Sequence, residues 1–389
     1  MNRWHLLTVE YPPVCGGVAD YTQQLAHALA RAGDDVTVWV PLGKGPEEDS
    51  LSTDVRVRVL PDRFGSGARQ MLEDAWSAAP GIVLLQYVPT ALGTRRTNLK
   101  FCRWLRAKRR AGTDVRVMFH EPYFYFTFWR PWLNVVALVQ RIMAAVLIRA
   151  SDPIYLSTET WVRYLAPYGT LARVKVLPIP ATVPGVASPD DVRKFRNQMG
   201  AAVGQAVVGH FGTYGDHVVG ELVPAIATVV RRLPDVRIAL LGAGSDRFLE
   251  RLRREVPAAR AYATGTLASD EVAAALRACD LVIQPYPDGV TTRRTSVMAA
   301  LANGVPIVTT CGALTEPIWA ETGAVSLVSV GRPWEIEAAA VALALDVDAR
   351  GALAIRGHRL YEERFAMERT VAALRGRVTA EASAPAVAQ

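Results

Sequence analysis

Residues 281–309, LVIQPYPDGVTTRRTSVMAALANGVPIVT, decide the fold class. Leu281 to Gln284 is a short strand-forming run, and Pro306 to Thr309 begins another. Between them Ser296 to Ala302 is rich in small and straight-chain residues that favour a helix. Gly304 stands where that helix stops, and Pro306 cannot continue it. Strand, hydroxyl-rich loop, helix and strand in this order make a crossover unit, which joins parallel strands.

The same grammar extends outward. Ala206 to Phe211 reads as a strand that ends in Gly212-Thr213-Tyr214-Gly215, and a helix follows from about Gly220 to Leu233. Val236 to Leu241 is a strand, Gly242-Ala243-Gly244 a turn, and Asp246 to Val256 a helix. A short strand near Ala261 and a helix from Asp270 to Ala278 complete this half. The first half opens with the strand His5 to Val9, the loop Pro12 to Val18 and a helix from Asp20 to Ala32. Leu25, Ala26 and Leu29 supply that helix's apolar face, and Gly33 ends it. Strands are expected at Val36 to Val40, Ile82 to Leu85 and Val115 to Phe119, with a basic helix from Asn98 to Arg110. The chain is therefore expected to be α/β, with two doubly wound Rossmann-like domains, each a parallel sheet covered on both faces. Pro178 to Gly185 is the expected hinge. The domains run 1–180 and 181–362, a last helix spans 363–378 and packs back on the first domain, and 379–389 is an Ala/Pro/Ser-rich disordered tail.

A chain of 389 residues, half of them hydrophobic, suits two cores rather than one. The formal charge of +7 favours anionic partners without choosing among them. No zinc-finger spacing, basic zipper or aromatic RNA-binding signature is present, so nucleic acid is not an expected partner. Cys15, Cys102, Cys279 and Cys311 are far apart, which argues against a zinc site or disulfide scaffold and for a reducing compartment. The N-terminus lacks the pattern of a secretion signal. Val135 to Ile148 is apolar but is interrupted by Arg141, whereas a spanning helix needs about 20 apolar residues. The expected location is cytoplasmic, peripheral at the inner face of a membrane.

Ligands of doubly wound sheets sit at the carboxyl ends of strands. Gly16 and Gly17 follow the first strand and open a helix, where backbone approaches a phosphate or sugar closely; a plain tight turn reads the same way. Gly212, Thr213 and Tyr214, and again Gly244, repeat that logic, though none completes a dinucleotide fingerprint. The loop Thr291, Thr292, Arg293, Arg294, Thr295 and Ser296 places guanidinium forks and hydroxyls at a helix start, which suits a diphosphate. The competing reading is two solvated arginines, or a salt bridge to Asp288. His120 and Glu121 end an apolar run, where a histidine acts as acid, base or sugar ligand, or is merely structural. Pro122 to Pro131, PYFYFTFWRP, sets aromatics beside basic residues, as a membrane interface, a sugar-stacking surface or a core lid does. From Arg95 to Arg110 there are eight Lys or Arg and no acid, which reads as a contact with anionic lipid or as a solvated helix face.

The chain resembles the retaining family 4 glycosyltransferases of GT-B fold, over roughly residues 5–375. Glu10 to Tyr21 looks like that family's N-terminal glycine loop, and Val176 to Pro180 like its strand into the interdomain linker. Ala300 to Val308 is similar to its donor-site helix and following strand, and Gly312 to Glu316 to its next glycine-rich turn. The resemblance implies a nucleotide-sugar donor held by the second domain and a glycan or lipid-linked acceptor held by the first. It implies neither metal nor other cofactor, and a leaving phosphate that assists the incoming hydroxyl. The family's first-domain histidine matches His120. The acceptor side is assigned to Asp20, Tyr21, Glu121 and Tyr123, and the donor side to the glycine loops and to residues 291–296. Departures exist. Two glutamates of the family's donor loop are Thr291 and Ala299 here, and the arginine and lysine expected after the second domain's first strand are missing from Thr213 to Gly220. Arg293 and Arg294 are the candidates to replace those cations. The alternatives are a non-catalytic GT-B protein that binds a glycan or partner, or another GT-B enzyme such as a nucleotide-sugar epimerase. A phosphorylase needs a pyridoxal-binding lysine, and no lysine follows Lys194.

Overall fold

The computed structural model describes residues 1–376 apart from 15, 53, 128, 129, 170–172 and 184. Cys15 of the glycine loop, Phe128 and Trp129 of the aromatic run, Pro184 of the linker and the expected tail 379–389 lie outside the described residues. The chain divides into two compact units, Met1–Pro178 with Met367–Gln389, and Ile179–Ala366.

In the first unit the chain runs β1 (Arg3–Leu7), α1 (Gly17–Arg31), β2 (Asp35–Pro41), β3 (Ser50–Ser52), β4 (Val55–Leu60), α2 (Ser66–Ala78) and β5 (Ile82–Tyr87). It continues with α3 (Leu99–Arg110), β6 (Asp114–Phe119), α4 (Leu133–Ile148), β7 (Ile154–Leu156), α5 (Trp161–Leu165) and β8 (Val174–Val176). The sheet order is β3-β4-β2-β1-β5-β6-β7-β8, parallel except for β3 against β4. The central strands are continuous apolar runs because helices cover both faces. Leu6, Leu7, Val38, Val83, Leu85 and Val117 have no exposed surface. β4 differs: in Val-Arg-Val-Arg-Val-Leu the first two valines are buried and the arginines beside them exposed. That period-two alternation is a half-solvated strand near a sheet edge, and it is an element the sequence reading above lacks.

The second unit comprises α6 (Pro189–Gln198), β9 (Val207–Phe211), α7 (Asp216–Arg232), β10 (Arg237–Leu241), α8 (Ser245–Glu255), β11 (Arg260–Ala263), α9 (Ser269–Arg277) and β12 (Leu281–Gln284). Then follow α10 (Thr295–Ala302), β13 (Ile307–Cys311), α11 (Pro317–Thr322), β14 (Ser326–Ser329), α12 (Pro333–Leu345) and α13 (Val347–Leu360). Its parallel sheet has the order β11-β10-β9-β12-β13-β14. One core packs around Ala299, Leu301 and Trp319 on one face, another around Leu222, Leu240 and Leu252 on the other. Helix α7 starts a turn before the expected Gly220 because Gly215 is its extended N-cap.

A π-helical turn at Tyr361–Phe365 ends α13, and α14 (Met367–Leu374) follows the extended Ala366. The helix expected from 363 thus begins at Met367. Helix α14 packs on α1 within the first unit. Arg375 just beyond it reaches the buried Asp34 at 3.2 Å and the Ala32 carbonyl at 3.0 Å. Arg116 donates to the Leu374 carbonyl at 2.6 Å.

Candidate functional site

The order of the parallel strands in each sheet reverses direction at one point. In the second unit the switch lies between β9 and β12, so the loops after those strands frame the crevice where such sheets bind ligands. The loop after β12 is built by interlocking. Thr310 Oγ1 accepts from the Tyr286 amide at 2.7 Å and donates to the Tyr286 carbonyl at 2.6 Å. The Val290 and Leu314 amides donate to the Thr310 and Asp288 carbonyls. Gly289, at φ +90°, lies so close to the Gly312 backbone and the Thr315 hydroxyl that a Cβ has no room. The Ile179 amide, at the start of this unit, holds the Thr292 carbonyl at 3.2 Å.

Glu316 is the hub. It is 3% exposed, and its carboxylate accepts from the Thr292 amide at 2.8 Å, the Thr292 hydroxyl at 2.5 Å and the Trp319 indole at 3.0 Å. The sequence reading placed Glu316 in a glycine-rich turn without a role. Its signal was available: an acid directly before Pro317 is a helix-start pattern.

Several expected donor ligands have internal partners. Thr292 is clamped by Glu316, and the Ser296 hydroxyl pairs with the Tyr286 hydroxyl at 2.7 Å. Arg294 takes the ion-pair alternative: it meets Asp288 at 2.6 Å and lies 4.3 Å over the Tyr286 ring. Thr291 is 1% exposed and its hydroxyl is enclosed without a partner. Tyr214, expected to face the donor, instead donates to the His210 and Leu241 carbonyls and stacks on Phe248, because φ +56° turns its ring inward. Arg293 and Thr295 are half-buried, and Thr213 is exposed at the neighbouring β9 loop. Gly212 and Thr213 share that crevice, whereas Gly244 caps α8 one strand further out, at φ +85°.

The electrostatics separate the helix starts at this end of the sheet. Asp216 occupies the first turn of α7 and Asp246 that of α8, whereas α10 has no acid in its first turn and is preceded by Arg293 and Arg294. A helix N-terminus carries partial positive charge, so α10 is the start best suited to an anion.

His210 in β9 is a buried group that the sequence reading missed. Its Nδ1 donates to the Ile283 carbonyl at 2.8 Å, and its enclosed Nε2 has no partner. Burial pushes its pKa down to about 4. Because the folded value lies below the ordinary 6.5 of a histidine, the ring contributes stability above pH 6.5 that is lost as pH falls from about 6.5 to about 4. The loss is of order 3 kcal/mol at the acid end. In urea titrations across that pH window, His210→Asn is expected to flatten the dependence; an unchanged slope would assign the acid sensitivity to other groups.

In the first unit the switch lies between β1 and β5. His120 follows β6, the next strand, and is 7% exposed. Its Nε2 lies 2.7 Å from the Gln86 side-chain oxygen in β5, which accepts, so Nε2 donates in this bond. The imidazole is thus oriented by a buried amide that the sequence reading also lacks, although a polar residue inside Ile82–Tyr87 is its signal. The Tyr21 ring packs edge-on to His120 at 5.3 Å, and burial raises its pKa.

The glycine loop carries a correction. Gly16 is the N-cap of α1, and a Cβ there would fall on the Glu10 carboxylate. The positive end of α1 therefore already faces a carboxylate, with Asp20 in the first turn. Desolvation, then the nearby Glu10 charge, pushes the Asp20 pKa up. A diphosphate at Gly16 and Gly17 would meet two acids; neutral sugar hydroxyls suit them better. Tyr123, expected on the acceptor side, donates to the Tyr164 carbonyl at 2.8 Å and lies under Arg141 at 4.1 Å, while Glu121 is half-buried. Asp20, Tyr21 and His120 gather around the ends of β1, β5 and β6; Tyr123 belongs to an aromatic cluster with Tyr164 and Tyr168. No group of three or more His, Cys, Asp or Glu is arranged to hold a metal among the described residues.

Two family descriptions match. Residues 16–182 match "Glycosyl transferase 4-like domain" and residues 205–346 match "Glycosyl transferases group 1". No curated protein matches the sequence. Among solved structures, sucrose-phosphate synthase from Thermosynechococcus elongatus superposes with a TM-score of 0.73 at 16% identity, over 97% of this chain and 98% of that one. WaaG, a glycosyltransferase of lipopolysaccharide biosynthesis, gives 0.66 at 14%, over 96% and 100%. HepE from Anabaena, solved with UDP and glucose, gives 0.67 at 16%, over 97% and 98%.

Proposed function

We propose, from the premise that this chain belongs to the family 4-like glycosyltransferases of GT-B fold, that it moves a sugar from a nucleoside-diphosphate donor to an acceptor hydroxyl. The observation that carries the proposal is the α10 start: a helix at a sheet switch point with no acid in its first turn and two arginines before it. Helix dipole and guanidinium together neutralise a leaving diphosphate without a metal. Arg293 is the cation assigned to it; Arg294, held by Asp288 and Tyr286, stiffens the loop. The donor assigned is a UDP-sugar, since HepE was solved with UDP-glucose and with UDP. The first unit takes the acceptor, with Asp20 and Glu10 receiving sugar hydroxyls and His120 acting as acid, base or sugar ligand. Retention of anomeric configuration follows if the leaving phosphate takes the acceptor proton. The acceptor class is a glycan or lipid-linked sugar, in polysaccharide or glycoconjugate assembly on the cytoplasmic side of a membrane.

A second reading has one observation in its favour. Ala299 stands, fully buried, at the position where the resemblance puts a ribose-binding glutamate, which favours a fold that binds a glycan or partner rather than a nucleotide sugar. One experiment separates the two. UDP, GDP, ADP and TDP are each added to the full chain, with and without magnesium, and thermal unfolding is followed. Stabilisation of about 2.7 kcal/mol at 100 times the dissociation constant is expected for UDP alone, without a need for magnesium. The Arg293→Ala/Arg294→Ala double variant is expected to lose most of it. No shift with any nucleotide overturns the transferase reading, and an unchanged shift in the double variant overturns the arginine assignment.

A further inference from the structure

Helix α4 is apolar on both sides. Its inner face buries Ala137, Met143, Ala144, Leu147 and Ile148. At 100° per residue, Val135, Leu138 and Ile142 lie opposite that face, and they are 66, 54 and 42% exposed. Arg149 continues the same line where the helix ends. Arg141 is the one charged residue from Leu133 to Ile148, and it is turned over the Tyr123 and Phe126 rings. A water-facing helix side carries polar residues; one that is apolar all round is covered by something. Trp132, Tyr125 and Phe126 extend the surface, at 66, 53 and 57% exposure. The surface is concentrated: these six large apolar side chains fall within residues 125–142.

The rim is cationic. Helix α3 packs beside α4 and exposes Lys100, Arg103 and Arg110, with Arg95 and Arg96 before it. Lys108 and Arg109 pair with Glu73 and Asp152. No carboxylate pairs with Arg95, Arg96, Lys100, Arg103 or Arg110 among the described residues. Arg130 and Arg149 are exposed at the two ends of α4, and residues 122–151 contain no acid.

We infer that this face seats the first unit on an anionic bilayer, with α4 lying in the plane of the interface and its outer side chains in the acyl boundary. Charge selects this occupant over a second copy of the chain. A two-fold interface sets the same patch against itself, which would bring like rims together, whereas an anionic lipid surface complements both the apolar centre and the basic edge. Among the described residues no helix is long and apolar enough to cross a membrane, so contact is by docking. The inference deepens the proposed function, because it names the surface that carries a lipid-linked acceptor, but it stands on the first unit alone.

The test is sedimentation of the full chain with vesicles of phosphatidylcholine, with and without phosphatidylglycerol. Binding to the anionic vesicles is expected at low salt and should weaken as salt screens the rim. Leu138→Asp/Ile142→Asp is expected to weaken that binding by at least about tenfold, as losing two inserted side chains requires. Lys100→Gln/Arg103→Gln should bind less tightly and respond less to salt. Both sites are exposed, so the UDP-induced thermal shift, read without vesicles, should be unchanged in every variant. Absence of that shift with vesicle binding intact would sink the transferase reading and leave the docking face standing. Wild-type protein left in the supernatant at low salt, or the Asp variant binding as well as wild type, overturns the inference. So does a wild-type dimer in solution that the Asp variant abolishes.

Discussion

His120→Ala is expected to lower turnover of the UDP-sugar by about 10²- to 10⁴-fold, the range for losing a positioned acid, base or hydrogen-bonding group. Nucleotide affinity should change little, because the α10 start belongs to the other unit. The local backbone does not depend on the imidazole. The His120 amide donates to the Tyr87 carbonyl at 3.1 Å, and its carbonyl accepts from the Ser157 hydroxyl at 3.2 Å and the Trp161 indole at 3.1 Å. The expected stability loss is about 1–3 kcal/mol, mostly from Gln86 left with an unsatisfied buried amide. Steady-state release of UDP, read beside a thermal midpoint, separates the two effects. Gln86→Leu should give a smaller loss with a displaced pH profile, since it frees the ring without removing it. An alanine variant that turns over at the wild-type rate would make His120 structural.

Glu316→Ala is the second large effect, on stability first and donor binding with it. The substitution strands the Thr292 amide, the Thr292 hydroxyl and the Trp319 indole inside the protein. Each stranded donor costs about 1–3 kcal/mol, so a total near 3–5 kcal/mol is expected after partial relaxation. Residues 290–294 would lose their anchor to the α11 start, and UDP should bind more weakly in proportion. Glu316→Gln keeps one carbonyl oxygen and should cost clearly less. The Thr292→Val/Glu316→Ala pair should cost less than the sum of the single changes, since a missing hydroxyl no longer needs an acceptor. Urea midpoints for the four proteins complete the cycle. Strict additivity would show that Glu316 acts elsewhere.

Local pattern and long-range packing divided the information. The strand-loop-helix-strand grammar at 281–309, the glycine stops and the all-apolar central strands were legible, because periodicity and turn chemistry are properties of neighbouring residues. Strand β4 is legible too, in the period-two alternation of Val-Arg-Val-Arg-Val, which differs from the continuous apolar runs of the central strands. The hydroxyl- and arginine-rich loop at a strand's carboxyl end was legible, but the internal partners of its hydroxyls were not: Thr292 and Ser296 bond to Glu316 and Tyr286, ten or more residues away. Tyr214 turned inward through a single positive φ that composition does not reveal.

By itself the sequence determined the fold class, two doubly wound α/β units, and which loops follow the carboxyl ends of their strands. Only the tertiary structure decided which helix start is left for an anion. Whether a dipole is open depends on where carboxylates land: Glu10 comes to lie against Gly16 at α1, whereas at α10 Asp288 is engaged by Arg294 and Glu316 by Thr292 and Trp319. It also decided that α4 has an uncovered apolar side. Periodicity shows that a helix is apolar all round, but only packing shows which of its faces the protein covers.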